Sequence, residues 1–571
     1  MSAAEPPQGA NHAPAGGSAA AKPQAWGGQT RAAEPPQGAN RAPAGGSAAA
    51  KPQAWGGHTS AAEPPQRASR ALSLALAASA GAGTVFAFAP FGVSGVVFVT
   101  LALLFGLWLR RDSPWHAAQD GFAFGAGLFA AGSSWLTIAL VNFGGMAQWL
   151  ALLAIAVLTA YLALWPALAG FIAVRFTRCG SWQRVLVAAG AFTATEWMRS
   201  YLFTGFPWLA VGYTQVPDGL ARGYAPVGGV YLVTLVVALI AGLVALFADA
   251  LAQNAARRAG ASAALAAALA AIGVALANVE WTQASGAPLP VSLVQGNVVQ
   301  ELKFDPKFRT ATFDRYLNLV SQSRGRLIVL PESAFPMFSD EIPDAILLSL
   351  IRTAIARDGD VLAGLFTALP PEKGGDEPRY YNTVVALGTS PLQFYRKNHL
   401  VPFGETIPLK PVIGWFIRSV LAIPLADQAR GGATQPPLSV AGARVAVDIC
   451  YEDAFGSELR YAARDAQLLV NVTNDAWYGR SIAAEQHNQI AAMRALELGR
   501  PMLRATNTGI TSAIGEDGRE TARLPWFTTG VLEVTVTGRS GETPYLRAGD
   551  LIVLVLCAVL IVAPSVRYRR R

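Results

Sequence analysis

The chain has 571 residues, of which 52% are hydrophobic and only 14% charged, and its formal net charge is +8. A soluble domain usually carries about 25% charge, so the chain is not wholly soluble; it reads as an integral membrane protein with one charge-rich soluble region. The positive balance does not call for nucleic acid, because the arginines sit beside apolar runs, where they act as a membrane orientation signal.

Residues 1–66 are a tandem repeat in which Ala-Glu-Pro-Pro-Gln recurs with its glutamate at Glu5, Glu34 and Glu63. Pro, Gly, Ala and Ser dominate, so this segment cannot bury a core and is expected to be disordered. It has no apolar centre of the kind a signal peptide needs, and no function is assigned to it.

From 67 to 287 the texture is apolar. Candidate spans are 71–90, 93–109, 118–138, 147–174, 183–202, 227–250 and 261–279, and an eighth lies at 549–566 in the closing segment 546–571. Each approaches the roughly 20 residues that a hydrocarbon layer of about 30 Å requires. The expectation is a polytopic α-helical membrane bundle of about eight spans. Arg67 and Arg70 precede the first span, and Arg110 and Arg111 follow the second. Arg175, Arg178 and Arg184 lie between the fourth and fifth, Arg257 and Arg258 follow the sixth, and a basic tail ends at Arg571. The alternate loops are poorer in Lys and Arg. Positive loops stay in the cytoplasm, which places both termini inside and the region between spans seven and eight outside.

That region, 288–545, alternates apolar strand-like runs with helical stretches. Strands are predicted at Val291–Val294, Leu327–Leu330, Val361–Leu365, Thr383–Leu387, Val445–Ile449 and Leu468–Val472. Helices are predicted at Phe308–Ser323, Asp340–Asp358 and Ser481–Leu498. This alternation indicates a layered α/β domain.

Three stretches of the domain end in reactive side chains. In Leu327-Ile-Val-Leu-Pro-Glu332, Glu332 stands just past a strand. Tyr395-Arg-Lys397-Asn-His-Leu-Val-Pro-Phe-Gly-Glu405 presents Lys397, and Val445 to Ile449 delivers Cys450, followed by Tyr451 and Glu452. Each residue has an ordinary reading: a strand-end carboxylate, a solvated basic edge, a small residue closing a core strand. Together they form a chemical unit. A thiol is a poor nucleophile until deprotonated, a carboxylate can take its proton, and an ammonium stabilises first the thiolate and then an oxyanion. Acyl transfer through a thioester is the implied reaction class. Cys557 lies in an apolar span and Cys179 in a short basic loop, so neither is an evident disulfide partner for Cys450, and no zinc-ligand spacing occurs.

The motifs PESAFP, YRKNHLVPFGE, DICYEDAFG and NVTNDAWYG resemble those of the nitrilase (carbon–nitrogen hydrolase) superfamily. With the apolar spans before and after them, the chain resembles that superfamily's membrane branch, the apolipoprotein N-acyltransferases of Gram-negative bacteria. The resemblance implies a nitrilase-like αββα sandwich on a membrane bundle in a bacterial inner membrane, with the catalytic domain in the periplasm. It implies Glu332 as general base, Lys397 as oxyanion-stabilising cation and Cys450 as nucleophile, with Glu405, Tyr451 and Glu452 in support. Glu452 could instead simply pair with an arginine. Trp477 and Trp208 would contact lipid, or else pack as ordinary aromatics. The implied donor is a phospholipid and the implied acceptor is the N-terminal amine of a diacylglyceryl-modified apolipoprotein; no metal or cofactor is expected. One departure stands out: Lys303-Phe304 occupies the place where Lys-Trp is expected, so an indole N–H is lost. A membrane-tethered amidase and an inactive membrane scaffold are the rival readings.

Overall fold

The computed structural model describes residues 66–371, 378–406 and 427–569. The N-terminal repeat, expected to be disordered, lies outside the described residues. Residues Glu63–Arg571 form one compact unit.

Among the described residues seven long helices precede the α/β domain: α1 (Gln66–Thr84), α2 (Val96–Leu109), α3 (Pro114–Gly132), α4 (Gln148–Arg175), α5 (Trp182–Arg199), α6 (Ala225–Ala252) and α7 (Ala256–Leu276). Small residues set how closely they pack. A Cβ on Gly81 would collide with the Phe124 carbonyl of α3, and one on Gly121 with the Pro166 carbonyl of α4. Such small-residue contacts are how apolar helices approach each other without a hydrophobic driving force.

All eight predicted span positions are helical, but eight full spans are not found. Among the described residues four helices are long and apolar enough to cross a membrane, and five if the pair Pro114–Gly132 and Leu136–Phe143, bent by 58°, counts as one. The shortfall has physical causes. Val96–Leu109 and Leu551–Val566 are apolar but short. Helix α5 carries Arg184, Glu196 and Arg199, all buried. Arg184 donates to the carbonyls of Trp108 (3.0 Å) and Leu109 (3.1 Å), capping the orphan carbonyls at the end of α2. Glu196 lies 3.7 Å from Arg199 and accepts from the Thr234 hydroxyl (2.7 Å). At one end of the bundle Asp120 binds both Arg70 and Arg111, each at 2.7 Å.

Among the described residues the α/β domain holds two six-stranded sheets, beside a small pair of Gln283–Ala284 with Arg539–Ser540. Its strands are β1 (Leu289–Gln295), β2 (Leu327–Val329), β3 (Asp360–Leu369), β4 (Arg379–Gly388), β5 (Gln393–Arg396), β6 (Leu438–Val440), β7 (Ala443–Ile449), β8 (Leu468–Thr473), β9 (Met502–Thr506), β10 (Ser512–Ile514), β11 (Glu520–Arg523) and β12 (Gly530–Val536). The first sheet runs β12-β1-β2-β3-β4-β5 and the second β11-β10-β9-β8-β7-β6. Strands β1, β2 and β3 are mutually parallel, as are β7, β8 and β9.

Strand alternation sorts the side chains into layers. Leu327, Val329, Leu362 and Val384 join the core that also holds Val445, Val447, Leu468 and Val470 of the second sheet. Their neighbours Ile328, Val361 and Val385 face the other way, onto Phe313 and Tyr316 of α9 (Arg309–Gln322), which follows the short α8 (Gln300–Lys303), and onto Leu350 of α10 (Asp344–Ile355). Helices α11 (Gly456–Ala463) and α12 (Ala483–Leu498) pack against the second sheet, and α12 also meets α6 of the bundle. The last helix, α13 (Leu551–Arg569), returns to pack on α5. Parallel strands put their C-terminal ends together, and the three reactive stretches end there.

Candidate active site

Glu332 follows β2 and is only 7% exposed. Its Oε1 accepts a hydrogen bond from Asn382 Nδ2 of β4 at 2.8 Å. Lys397 follows β5 directly, is 1% exposed, and is pinned by its backbone N–H donating to the Asn382 carbonyl (2.8 Å). Its Nζ lies 2.8 Å from Glu405 Oε1 and 3.6 Å from Glu332 Oε1. Glu405 is fixed in turn by the Val401 N–H (2.9 Å) and faces Asn382 Nδ2 (3.4 Å).

Cys450 ends β7 and opens a 3-10 turn, Cys450–Ala454. Its φ is +58°, in the left-handed region, which costs a non-glycine residue on the order of 1–3 kcal/mol and persists only where surroundings over-determine it. Here they do. The Cys450 carbonyl accepts from Asn471 Nδ2 (3.0 Å) and lies 3.3 Å from His487 Nε2. Glu452 accepts from the backbone N–H groups of Ile449 (2.8 Å), Asn398 (2.7 Å) and His399 (2.9 Å), and from the Tyr395 hydroxyl (3.0 Å). Glu452 therefore pairs with no arginine in these contacts; it ties the lysine-bearing strand end to the cysteine turn.

The electrostatics follow from burial and neighbours. Burial pushes the Cys450 thiol well up and Glu332 adds to the rise, while Lys397 pulls against it. For Lys397 burial opposes the charge, but Glu405 and Glu332 outweigh it and hold the ammonium protonated. Burial raises Glu452 to about 7 against the pull of its backbone donors. Glu332 and Lys397 thus both act electrostatically on the buried thiol.

Behind the thiol lies a second charged cluster. His487 of α12 bridges Asp475 (2.8 Å from Nδ1) and Asp453 (3.0 Å from Nε2). Arg504 of β9 donates to Asp453 Oδ2 (2.8 Å). Burial disfavours the imidazolium, but Asp453 outweighs it despite Arg504, and with Asp475 brings His487 up to about 9. Among the described residues no cluster of three or more His, Cys, Asp or Glu side chains is arranged to hold a metal ion. All three cysteines are free.

The aromatic residues meet the bundle. Tyr451 donates to the Gly205 carbonyl (3.2 Å) and stacks on Trp208 with ring centroids 6.3 Å apart. Trp208 is 1% exposed and donates its indole N–H to Gln486 (2.7 Å), so it is packed at the junction of bundle and domain. Trp477 is half-buried against Phe143 of the bent segment after α3, with centroids 5.4 Å apart.

Asn382, Lys303, His487, Asp453, Asp475 and Arg504 escaped the sequence reading as site residues. The only signal for two of them was proximity: Asp453 sits in the cysteine motif and Asp475 in NVTNDAWYG.

Residues 80–243 match the family described as the apolipoprotein N-acyltransferase N-terminal domain, and residues 290–545 match the carbon–nitrogen hydrolase family. An apolipoprotein N-acyltransferase of Nitrosomonas europaea is 48% identical over 85% of this chain and 95% of its own length. Another, from Chromobacterium violaceum, is 41% identical over 87% of this chain and 94% of its own. A solved mutant amidase of the nitrilase superfamily from Nesterenkonia AN1 aligns with 47% of this chain and 97% of its own at 19% identity and a TM-score of 0.32. With both family domains in order and close relatives matched nearly end to end, the chain belongs to the apolipoprotein N-acyltransferase family.

Proposed function

We propose that Cys450 carries the acyl chain as a thioester between a phospholipid and the N-terminal amine of a diacylglyceryl-cysteine. Glu332 takes the thiol proton as the sulfur attacks the ester carbonyl. Lys397, held by Glu405, stabilises the oxyanion, together with the backbone N–H of Tyr451. The ester C–O bond breaks, the leaving alcohol takes the proton from Glu332, and a lysophospholipid departs. The amine then attacks the thioester, the C–S bond breaks, and the proton returns to sulfur through Glu332. Burial of the pocket disfavours water as a competing acceptor. One observation carries this reading: a lysine ammonium shared between Glu405 and Glu332, at 2.8 and 3.6 Å, in the electrostatic range of a buried, strained cysteine.

The domain limits follow as 67–287 for the bundle, 288–545 for the catalytic domain and 546–571 for the last span and tail. The catalytic domain lies outside the cytoplasmic face, in the periplasm of a bacterial inner membrane, with both termini inside. The convergence of Arg70 and Arg111 on Asp120, away from the Tyr451–Gly205 contact, supports that orientation. Trp477, beside the bent segment, is assigned to the acyl-chain path, and Trp208 to the wall that holds Tyr451.

The test is mass spectrometry of the full-length protein incubated with phospholipid alone. An acyl adduct on the Cys450 peptide is expected, and none in Cys450→Ser. An adduct elsewhere, or acyl transfer retained in Cys450→Ser, would refute the nucleophile assignment. Free fatty acid in place of acylated peptide would mark a hydrolase.

A further inference from the structure

The scheme above leaves one charged side chain of the pocket without a task. Lys303 ends the short helix Gln300–Lys303 and is 2% exposed. Its Nζ donates to the Glu332 backbone carbonyl at 3.1 Å. The ionisable groups that act on it are Glu332 and Cys450, so its ammonium lies within the field of the proposed base and nucleophile.

A charge count shows why that matters. Glu332 and Glu405 bring two negative charges to the buried pocket and Lys397 one positive charge. Uncompensated charge in a buried site is costly. With Lys303 protonated, the charges of Glu332, Glu405, Lys397 and Lys303 sum to zero. Moving the Cys450 proton to Glu332 then transfers negative charge from carboxylate to sulfur without changing the total. Without the second ammonium, the thiolate would form in a pocket that is already net negative.

We propose that Lys303, seated on the Glu332 carbonyl, is a second cation of the acyl-transfer site that holds the pocket neutral while Cys450 becomes a thiolate. This rests on Cys450 being the nucleophile. Lys303 keeps its own proton throughout: the thiol proton goes to Glu332, the S–C bond forms, the ester C–O bond breaks and the alcohol leaves with that proton. Lys303 is thus a positioning residue that works through its field on sulfur and carboxylate.

The two lysines of the pocket differ in how firmly they keep their charge. Burial lowers Lys303 to about 8, with Glu332 and Cys450 only partly restoring it. Lys397 is held up by two carboxylates. As pH rises through about 8, Lys303 sheds its proton first, the pocket turns net negative, and thiolate formation becomes harder.

The experiment measures how fast the full-length protein in detergent forms the Cys450 acyl adduct with phosphatidylethanolamine, across pH, by mass spectrometry. The wild-type rate is expected to fall above about pH 8. Lys303→Met should slow adduct formation about tenfold or more at neutral pH, as expected for loss of a nearby opposite charge, and should lose that fall. Lys303→Arg, whose guanidinium stays charged, should keep most of the neutral rate and shift the fall upward. A Lys303→Met protein with the wild-type rate and profile overturns the proposal. So does a Lys303→Arg protein that still falls near pH 8, or one as slow as Lys303→Met at every pH. If Lys303→Met does not fold, Lys303→Arg alone decides. An adduct on a residue other than Cys450 would remove the nucleophile assignment itself, whereas a Cys450 adduct with unchanged Lys303 variants removes only the second cation.

Discussion

Arg184 of the bundle and Lys397 of the α/β domain are both buried cations, and they are held by different partners. In the bundle, Arg184 donates to neutral oxygens, among them the Thr177 hydroxyl (2.9 Å) and carbonyl (3.1 Å) and the carbonyls of Trp108 and Leu109, and it also acts on the Cys179 thiol. None of these oxygens can change its charge, so the arginine is locked as a clamp between helix ends. In the catalytic domain, Lys397 faces two carboxylates, and the thiol beside it can itself ionise. The arginine's oxygens keep their charge at every pH, whereas the lysine's partners are groups that can gain or lose a proton.

Substitution at the two kinds of site should separate these roles. The largest effect is expected for Lys397→Met, which removes the proposed oxyanion cation. Acyl transfer should fall about 10²–10³-fold, while the protein still folds because the carboxylates left behind can take up protons. A Lys397→Met enzyme with near-normal turnover would erase the distinction.

Next comes His487→Gln. The folded-state pKa of His487 is raised, to about 9, so its contribution is complete below the ordinary value of about 6.5 and disappears as pH rises through about 9. Wild-type thermal stability should therefore decline over that window by up to about 3 kcal/mol. The variant should be less stable at neutral pH and flatter with pH. Parallel melting curves for the two proteins across the window would show that the imidazolium contributes nothing.

Arg184→Met should cost about 1–3 kcal/mol of stability, the penalty for leaving buried acceptors unpaired. Activity per folded molecule should not change, and a drop in it would mean that the bundle clamp reaches the site. The smallest effect is expected for Tyr451→Phe, which loses only the bond to the Gly205 carbonyl. About 1 kcal/mol of stability and a modest change in rate should follow, read from melting and from adduct formation on the same preparation.

The strand ends of the catalytic domain could be read directly, because short apolar runs closed by a reactive residue leave a local pattern. Predicted runs such as Val445–Ile449 and Leu468–Val472 fall within β7 (Ala443–Ile449) and β8 (Leu468–Thr473). Strands β9 to β12 left too little pattern, being short or split between buried and open faces, as in Glu520–Arg523 and Gly530–Val536. The spans were over-counted for a related reason. Apolar composition marks a helix that touches lipid or neighbours, but it cannot tell a full crossing from the short α2 or from α5, whose Arg184, Glu196 and Arg199 are satisfied inside the fold.

Of the candidate site, Glu332, Lys397, Cys450 and Glu405 were legible from motifs; Lys397 lies 3.6 Å from Glu332 and 2.8 Å from Glu405, and charge on Glu332 and Lys397 acts on the Cys450 thiol. The left-handed backbone at Cys450 was not legible, because no glycine or asparagine marks it. His487 was hidden in a helix that is buried almost throughout, where sequence offers no reason to single out one residue. Asn382 was hidden inside a strand whose neighbours read as plain core.

The four donors gathered by Glu452 bear on how firmly the Cys450 turn and the Lys397 strand end are joined. Ile449 precedes the cysteine, while Tyr395, Asn398 and His399 flank Lys397. One carboxylate thereby fastens the cysteine turn and the lysine strand end to the same post. A shift of either strand end is passed to the other through that shared carboxylate, so the backbones carrying Cys450 and Lys397 are held in fixed relation.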